Sequence, residues 1–283
     1  MSDHHLGLAA DLDTLLRQAS GRRRLLRWLG AAALPSAGCV GVGVGVGVGG
    51  GMGGGAASAA NAAGNSRCPV INDEMAGPFP ANGSNRAGGS VANALALSGI
   101  VRSDIRASLA GAVGVASGVP LTVKLVLVNA NANADCATLA GHAIYLWHCD
   151  AAGRYSMYSR GVTGENYLRG VQATDASGSV SFSTIFPGCY SGRMPHLHFE
   201  VYRNTAATNA YRNQIKTSQI AFPVATCQAV YATPGYADSV ARLAAISFAT
   251  DMVFSDGVAL QLASMTGNTT DGFVATLQVG IAV

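Results

Sequence analysis

Arg193-Met194-Pro195-His196-Leu197-His198-Phe199-Glu200-Val201 follows closely on Thr184-Ile185-Phe186-Pro187-Gly188-Cys189-Tyr190. Residues 197–202 alternate in the manner of a β-strand, and so do residues 179–184 before the Pro-Gly turn. Period-2 geometry then puts His196 and His198 on one face of a sheet. Such a pair is half of a metal site, or else a surface pair or a hydrogen-bonded interior pair, and its surroundings must decide.

Those surroundings supply more donors. Residues 143–149 alternate as a strand, run into a turn containing Asp150 and Gly153, and end on Tyr155. Tyr190 follows the Pro-Gly turn just ahead of the histidines. Two tyrosines and two histidines therefore stand where neighbouring strand ends converge. Imidazole suits several transition metals, whereas phenolate is a hard anionic donor that selects a trivalent ion, so the mixture points to non-haem Fe(III). A bound phenolate must surrender its proton, which makes binding pH-dependent. Zinc fits less well, because no cysteine or carboxylate stands at zinc-like spacing beside the histidines.

Taken in order, Trp147-His148 through Gly153-Arg154-Tyr155, Thr174-Asp175-Ala176-Ser177-Gly178, Thr184 through Tyr190 and Arg193 through His198 resemble the motif series of the intradiol ring-cleavage dioxygenases, the family of catechol and protocatechuate dioxygenases. The resemblance runs from about Cys68 to the C-terminus. It implies that Tyr155, Tyr190, His196 and His198 are iron ligands, that Arg193 is a cation beside the substrate and that Gln219 is a supporting glutamine. It further implies cleavage of a catechol-type ring between its two hydroxylated carbons by O2, giving a muconate-type diacid, with Tyr190 or Tyr155 released as the base that takes a substrate proton. Residues 72–80 (Asn-Asp-Glu-Met-Ala-Gly-Pro-Phe-Pro) resemble the opening of these domains, and Glu165 through Gln172 is similar to the secreted, stand-alone branch. Blander roles are expected for Trp147 as core or pocket wall, His148 as hydrogen-bonded structure and Tyr158 as a partly buried aromatic.

Strand-like runs recur at 121–129, 143–149, 180–185, 197–202, 220–224, 258–264 and 273–281, and 236–245 holds a short helix. The pattern predicts an all-β domain, an antiparallel β-sandwich with long functional loops, over residues 68–283. That length is ordinary for a single β-domain.

The first 67 residues read differently. Residues 1–39 carry Arg22-Arg23-Arg24 ahead of a modest apolar stretch, a twin-arginine-like export signal, and Ser36-Ala37-Gly38-Cys39 resembles a lipoprotein cleavage box with Cys39 as the lipidated residue. Plain cleavage and secretion is the alternative. Glycine, proline and Arg27 keep any apolar run here short of a membrane span. Residues 40–67 are mostly Gly, Val, Ala, Ser and Asn, a flexible tether. Cleavage before Cys39 would remove five arginines and three aspartates, taking net charge from +3 to +1, so the basic balance gives no footing for nucleic acid.

The cysteines suit an oxidising compartment, with Cys136 expected near Cys149, Cys189 near Cys227 and Cys68 left over, although four cysteines allow three connectivities. Cys189 is not expected on a metal, because a strand-like neighbour points away from the face used by Tyr190. Two other function classes fit part of the pattern. One is a non-catalytic, transthyretin-like β-sandwich binding module on an exported tether. The other is a cupin-like or extradiol oxygenase with two histidines and a carboxylate, for which Glu200 stands awkwardly close to His198.

Overall fold

The computed structural model describes residues 67–283; the expected export signal (1–39) and all but the last residue of the expected linker (40–67) lie outside the described residues. Ten strands and two α-helices follow one another: β1 (Asn82–Ala87), β2 (Ser90–Asn93), β3 (Pro120–Asn129), β4 (Ala143–Trp147), β5 (Arg169–Ala173), β6 (Ser179–Ile185), β7 (His196–Tyr202), β8 (Gln214–Ala221), α1 (Val224–Tyr231), α2 (Ala237–Ala244), β9 (Ser264–Asn268) and β10 (Gly272–Ile281). The β-rich class expected from the alternation is what the chain forms.

β1 and β2 make a hairpin, and the other strands make two four-stranded sheets, ordered β6-β3-β10-β9 and β5-β4-β7-β8. Pairing in the second sheet is antiparallel throughout. In the first sheet the antiparallel expectation fails at one place: β10 runs parallel to β3 from Phe273↔Leu121 to Ile281↔Asn129. Parallel neighbours need a long crossover, and the intervening chain, helices included, supplies it.

Both sheets contribute to one apolar cluster. Leu121, Val123 and Leu125 of β3, Phe182 of β6 and Val279 of β10 meet Ile144 and Leu146 of β4 and Leu197, Phe199 and Val201 of β7, all buried. Burying each such side chain stabilises the fold by roughly 1.5–3 kcal/mol. Segment 100–105 ties an edge strand of each sheet: Arg102 N donates to Val171 O, and Ser183 N donates to Ser103 O.

The second sheet is buried on its other face as well. Ala143, Tyr145 and Trp147 of β4 and Tyr202 of β7 form a second cluster with Ala81, Ala92, Ala94 and Leu95 from the N-terminal arm. The odd residues of β4 therefore face the arm, and the even ones face the main core. This second face carries His196 and His198.

Three sequence expectations shift. The strand expected at 220–224 lies earlier, because Pro223 opens α1, its carbonyl accepting from Thr226 N and Cys227 N. The strand expected at 258–264 is mostly turn, with Gln261 N and Leu262 N both donating to Val258 O, and regular pairing begins only where β9 meets β10. The cysteine pairing is corrected too: the disulfide joins Cys68 to Cys136, while Cys149, Cys189 and Cys227 are buried thiols. Cys136 sits in the loop beside the entering arm, whereas Cys149 is buried beyond β4 with its thiol donating to Gly188 O.

Candidate metal centre

Each candidate ligand is held by a distinct local device. Beyond β4, Asp150 shapes the turn to Tyr155: its Oδ1 accepts from Ala152 N (3.0 Å) and Arg154 N (2.9 Å), and its Oδ2 accepts from Arg154 Nε (2.9 Å) and Tyr167 Oη (3.0 Å). Tyr155 is 1% exposed. The turn leading to Tyr190 packs directly on it. Gly188 N donates to Asp150 O (3.0 Å), and a Cβ at Gly188 would strike the Ala151 carbonyl, so only glycine permits the approach. The tyrosine rings meet edge-on with centroids 5.9 Å apart.

The two histidines point the same way from β7, as period-2 geometry requires. His196 Nδ1 lies 2.6 Å from Met194 O, and a carbonyl only accepts, so the proton is assigned to Nδ1 and Nε2 keeps its lone pair. That Nε2 is 3.1 Å from Tyr190 Oη and 3.1 Å from His198 Nε2. Three donor atoms thus crowd one point. Tyr155 completes the group, its ring 6.2 Å from that of His198, and its buried Oη has no hydrogen-bond partner among the described residues. A buried hydroxyl left in that condition is unfavourable unless something else engages it.

Electrostatics keep all four groups neutral in the metal-free chain. Burial pushes the Tyr190 phenol up to about 12, opposed by Arg193, and raises the Tyr155 phenol well above its ordinary value, aided by Tyr190. Burial also drives both imidazoles well below theirs, with Arg193 adding to the effect. Four neutral donors with available oxygen and nitrogen lone pairs suit a hard cation that can ionise the phenols on binding, so the donor set fits Fe(III). No group of three His, Cys, Asp or Glu among the described residues could hold a metal. A set of two histidines and one carboxylate is also poorly served, because Glu200 accepts from Asn82 Nδ2 and Tyr202 Oη, both at 2.7 Å.

Arg193 and Gln219 join the same constellation. Arg193 is 7% exposed; its Nε bonds both oxygens of Asp251 (3.1 and 3.0 Å) and its Nη2 donates to Gln219 Oε1 (2.6 Å). Gln219 Nε2 in turn donates to Met75 O in the N-terminal arm (3.1 Å). Asp251 is the residue that sequence reasoning missed, since it lies in a stretch without a motif. Fully buried, it also accepts from Met194 N (2.6 Å) and so holds the loop that carries His196. Phe254, 6.2 Å from the His196 ring, lies under the Arg193 guanidinium at 5.6 Å.

The blander expectations fit. His148 contacts Cys149 O (2.8 Å) and Thr184 Oγ1 (2.7 Å) instead of joining the cluster, Tyr158 Oη donates to Asn85 Oδ1 (2.7 Å), and Trp147 walls the site. Cys189 belongs to the main core while Tyr190 packs on the opposite cluster, so the thiol points away as expected. The arm closes over the face: Gly77, at φ +71°, passes so near His198 that a Cβ there would lie 3.3 Å from its Cε1.

Comparison with known proteins gives the class first. The dioxygenase family model matches residues 105–225, the stretch that holds all four candidate ligands together with Arg193 and Gln219. Among solved structures the chain is similar to an intradiol ring-cleavage dioxygenase from Tetranychus urticae, at 27% identity and TM-score 0.52, covering 65% of this chain and 87% of that one. It is similar to a second dioxygenase structure at 26% identity and TM-score 0.52, covering 65% and 86%. Comparison with curated proteins returned no match. The family that the motifs resemble is the one the comparisons return: the matched stretch is dioxygenase-like, and the chain is similar in structure to an intradiol ring-cleavage dioxygenase.

Proposed function

We propose that this chain cleaves the ring of a catechol-type diol between its hydroxylated carbons, placing both atoms of O2 in a muconate-type diacid, with a non-haem Fe(III) held by Tyr155, Tyr190, His196 and His198. The observation that carries the reading is His196 Nε2 lying 3.1 Å from both Tyr190 Oη and His198 Nε2, beside the unpartnered Tyr155 Oη. Ferric iron, when bound, supplies Lewis-acid activation of the diol.

The chain's own residues do the rest. Tyr190, less buried than Tyr155, is the phenolate that takes a substrate hydroxyl proton on its Oη. Arg193 is oriented by Asp251 and Gln219 through Nε and Nη2, which leaves Nη1 to face oxygen-centred charge as it develops. Trp147, Phe254 and the arm around Gly77 exclude water, which strengthens that interaction. In the same reading the two sheets pack face to face as a β-sandwich, residues 1–39 direct export, 40–67 form a tether and Cys39 carries the lipid.

The experiment is a visible spectrum of the full chain with ferric iron, before and after addition of catechols, together with oxygen uptake. A red-brown phenolate-to-iron band that shifts with a catechol and is lost in Tyr155→Phe and His198→Ala supports the assignment. A colourless chain that retains no iron refutes it and favours a non-catalytic binding module.

A further inference from the structure

Arg169 is 0% exposed, yet among the described residues it has no carboxylate partner. An interior guanidinium without a counterion is unfavourable, and the usual remedy is an acid at ion-pair distance. Here the charge is met by neutral acceptors alone. Nε donates to Ser156 Oγ (3.1 Å) and Nη2 to Ser156 O (3.0 Å), while Nη1 donates to Phe79 O (3.0 Å), Pro80 O (3.1 Å) and Tyr145 Oη (3.3 Å). The Tyr158 ring lies 5.5 Å from the guanidinium.

These acceptors come from three separate stretches that meet around Tyr155. Ser156 is its chain neighbour. Phe79 packs its ring 4.8 Å from the Tyr155 ring, and Tyr145 stacks on Trp147, which stacks on His198. The backbone is strained on both sides of the contact, with Leu168 at φ +58° and Met157 at φ +72°, where side-chain-bearing residues seldom sit. Strain of this kind persists where surrounding structure over-determines it, and it gathers at functional sites. Arg169 also stands opposite Trp147, and Trp147 opposite His198, in one row across the second sheet.

We propose that Arg169 is the positioning residue for Tyr155: it clamps the turn on one side of the phenol and the N-terminal arm on the other. The proposal rests on the reading of Tyr155 as a metal ligand.

The test compares the full wild-type chain with Arg169→Met, Arg169→Lys and Ser156→Ala, using ferric citrate as the iron source. Iron affinity, the position of the visible phenolate-to-iron band and, in the metal-free protein, amide exchange at residues 155–158 are measured. Arg169→Met and Ser156→Ala are expected to bind ferric iron about 10- to 100-fold more weakly, with a shifted band and faster exchange at the turn. Arg169→Lys, which keeps the charge without the planar fork, recovers part of the affinity. A shifted band in a folded variant separates a role at the phenol from a merely structural one. Unchanged affinity, band and exchange in Ser156→Ala and Arg169→Lys overturn the proposal, and these two variants decide it where Arg169→Met does not fold. A wild-type chain that binds no iron refutes the ligand reading itself, an outcome distinct from variants that match an iron-binding wild type.

Discussion

The indole of Trp147 lies almost parallel to the imidazole of His198, with planes 6° apart and centroids 5.0 Å apart. Cross-strand register puts the two residues directly opposite one another on β4 and β7, and the indole also stacks with Tyr145, whose ring is 4.9 Å away. The stack fixes the plane of an imidazole whose Nε2 is a candidate ligand atom.

Removing that support should be felt twice. Trp147→Ala is expected to destabilise the fold by about 3–5 kcal/mol, the usual cost of deleting a large buried aromatic, and to weaken iron retention, while Trp147→Phe keeps most of both. Urea denaturation and iron-to-protein ratios check this; normal iron retention in a folded Trp147→Ala would show that the stack does not orient His198.

Asp251 neutralises Arg193 inside the protein. Asp251→Ala leaves a buried guanidinium without its acid and should cost about 3–5 kcal/mol. Replacing both, as Asp251→Ala with Arg193→Met, should restore part of that loss, and a double-mutant cycle in urea measures the coupling. Arg193→Met alone should lower kcat for catechol oxidation by about 100-fold or more, the scale for loss of one preorganised donor; a fall confined to stability would leave Arg193 with no part in the chemistry.

The metal-free chain should lose stability in mild acid. Burial lowers the pKa of His148 to about 4 and drives those of His196 and His198 well below the usual imidazole value, so below about pH 6.5 the unfolded chain takes up three protons that the folded chain refuses. Glu200 works the other way. Its carboxyl is pushed up to about 7 by burial, so between about 7 and 4.5 the folded chain holds a proton that the unfolded chain gives up. Three against one leaves a net loss as pH falls from about 6.5 towards 4, worth about 1.4 kcal/mol per unit of pKa difference at each site. Urea midpoints at pH 7, 5.5 and 4.5 measure it, and a rising midpoint on acidification would show that Glu200 outweighs the histidines.

The Cys68–Cys136 disulfide spans 68 residues of sequence and fastens the start of the arm that covers the site. Chain entropy gives a loop of that size about 4 kcal/mol of stabilisation. Cys68→Ser should therefore lower stability by up to that amount, read as a lower denaturant midpoint together with a larger m-value, because the unfolded chain is no longer cross-linked.

The sequence was most legible where alternation and turn chemistry agreed. β6 and β7 carry apolar residues on alternate positions and β4 is apolar throughout, all between Gly, Pro and Asp turns, and the four candidate ligands were found through them. β5 was not legible, since Arg169-Gly170-Val171 carries a buried charge and a glycine where a strand pattern expects apolar bulk. The β1–β2 hairpin is too rich in Asn, Ser and Gly to stand out, and α1, with Cys227, Val230 and Tyr231 buried, reads as readily as a strand. The Cys68–Cys136 bond and the Asp251–Arg193 pair join distant stretches, and no local pattern encodes such partners.

The parallel β3–β10 ladder has a consequence for the order of assembly. β10 is the last strand in chain order but an interior one in its sheet, with β3 on one side and β9 on the other. Among the described residues β9 has no other strand to pair with, and one edge of β3 stays bare until residues 272–281 have been made. Contacts between such distant segments close slowly and leave pairing edges exposed meanwhile, so this domain should be a late and cooperative folder whose intermediates call on chaperones, and trimming its final strand should undo the sheet at its middle instead of at its rim.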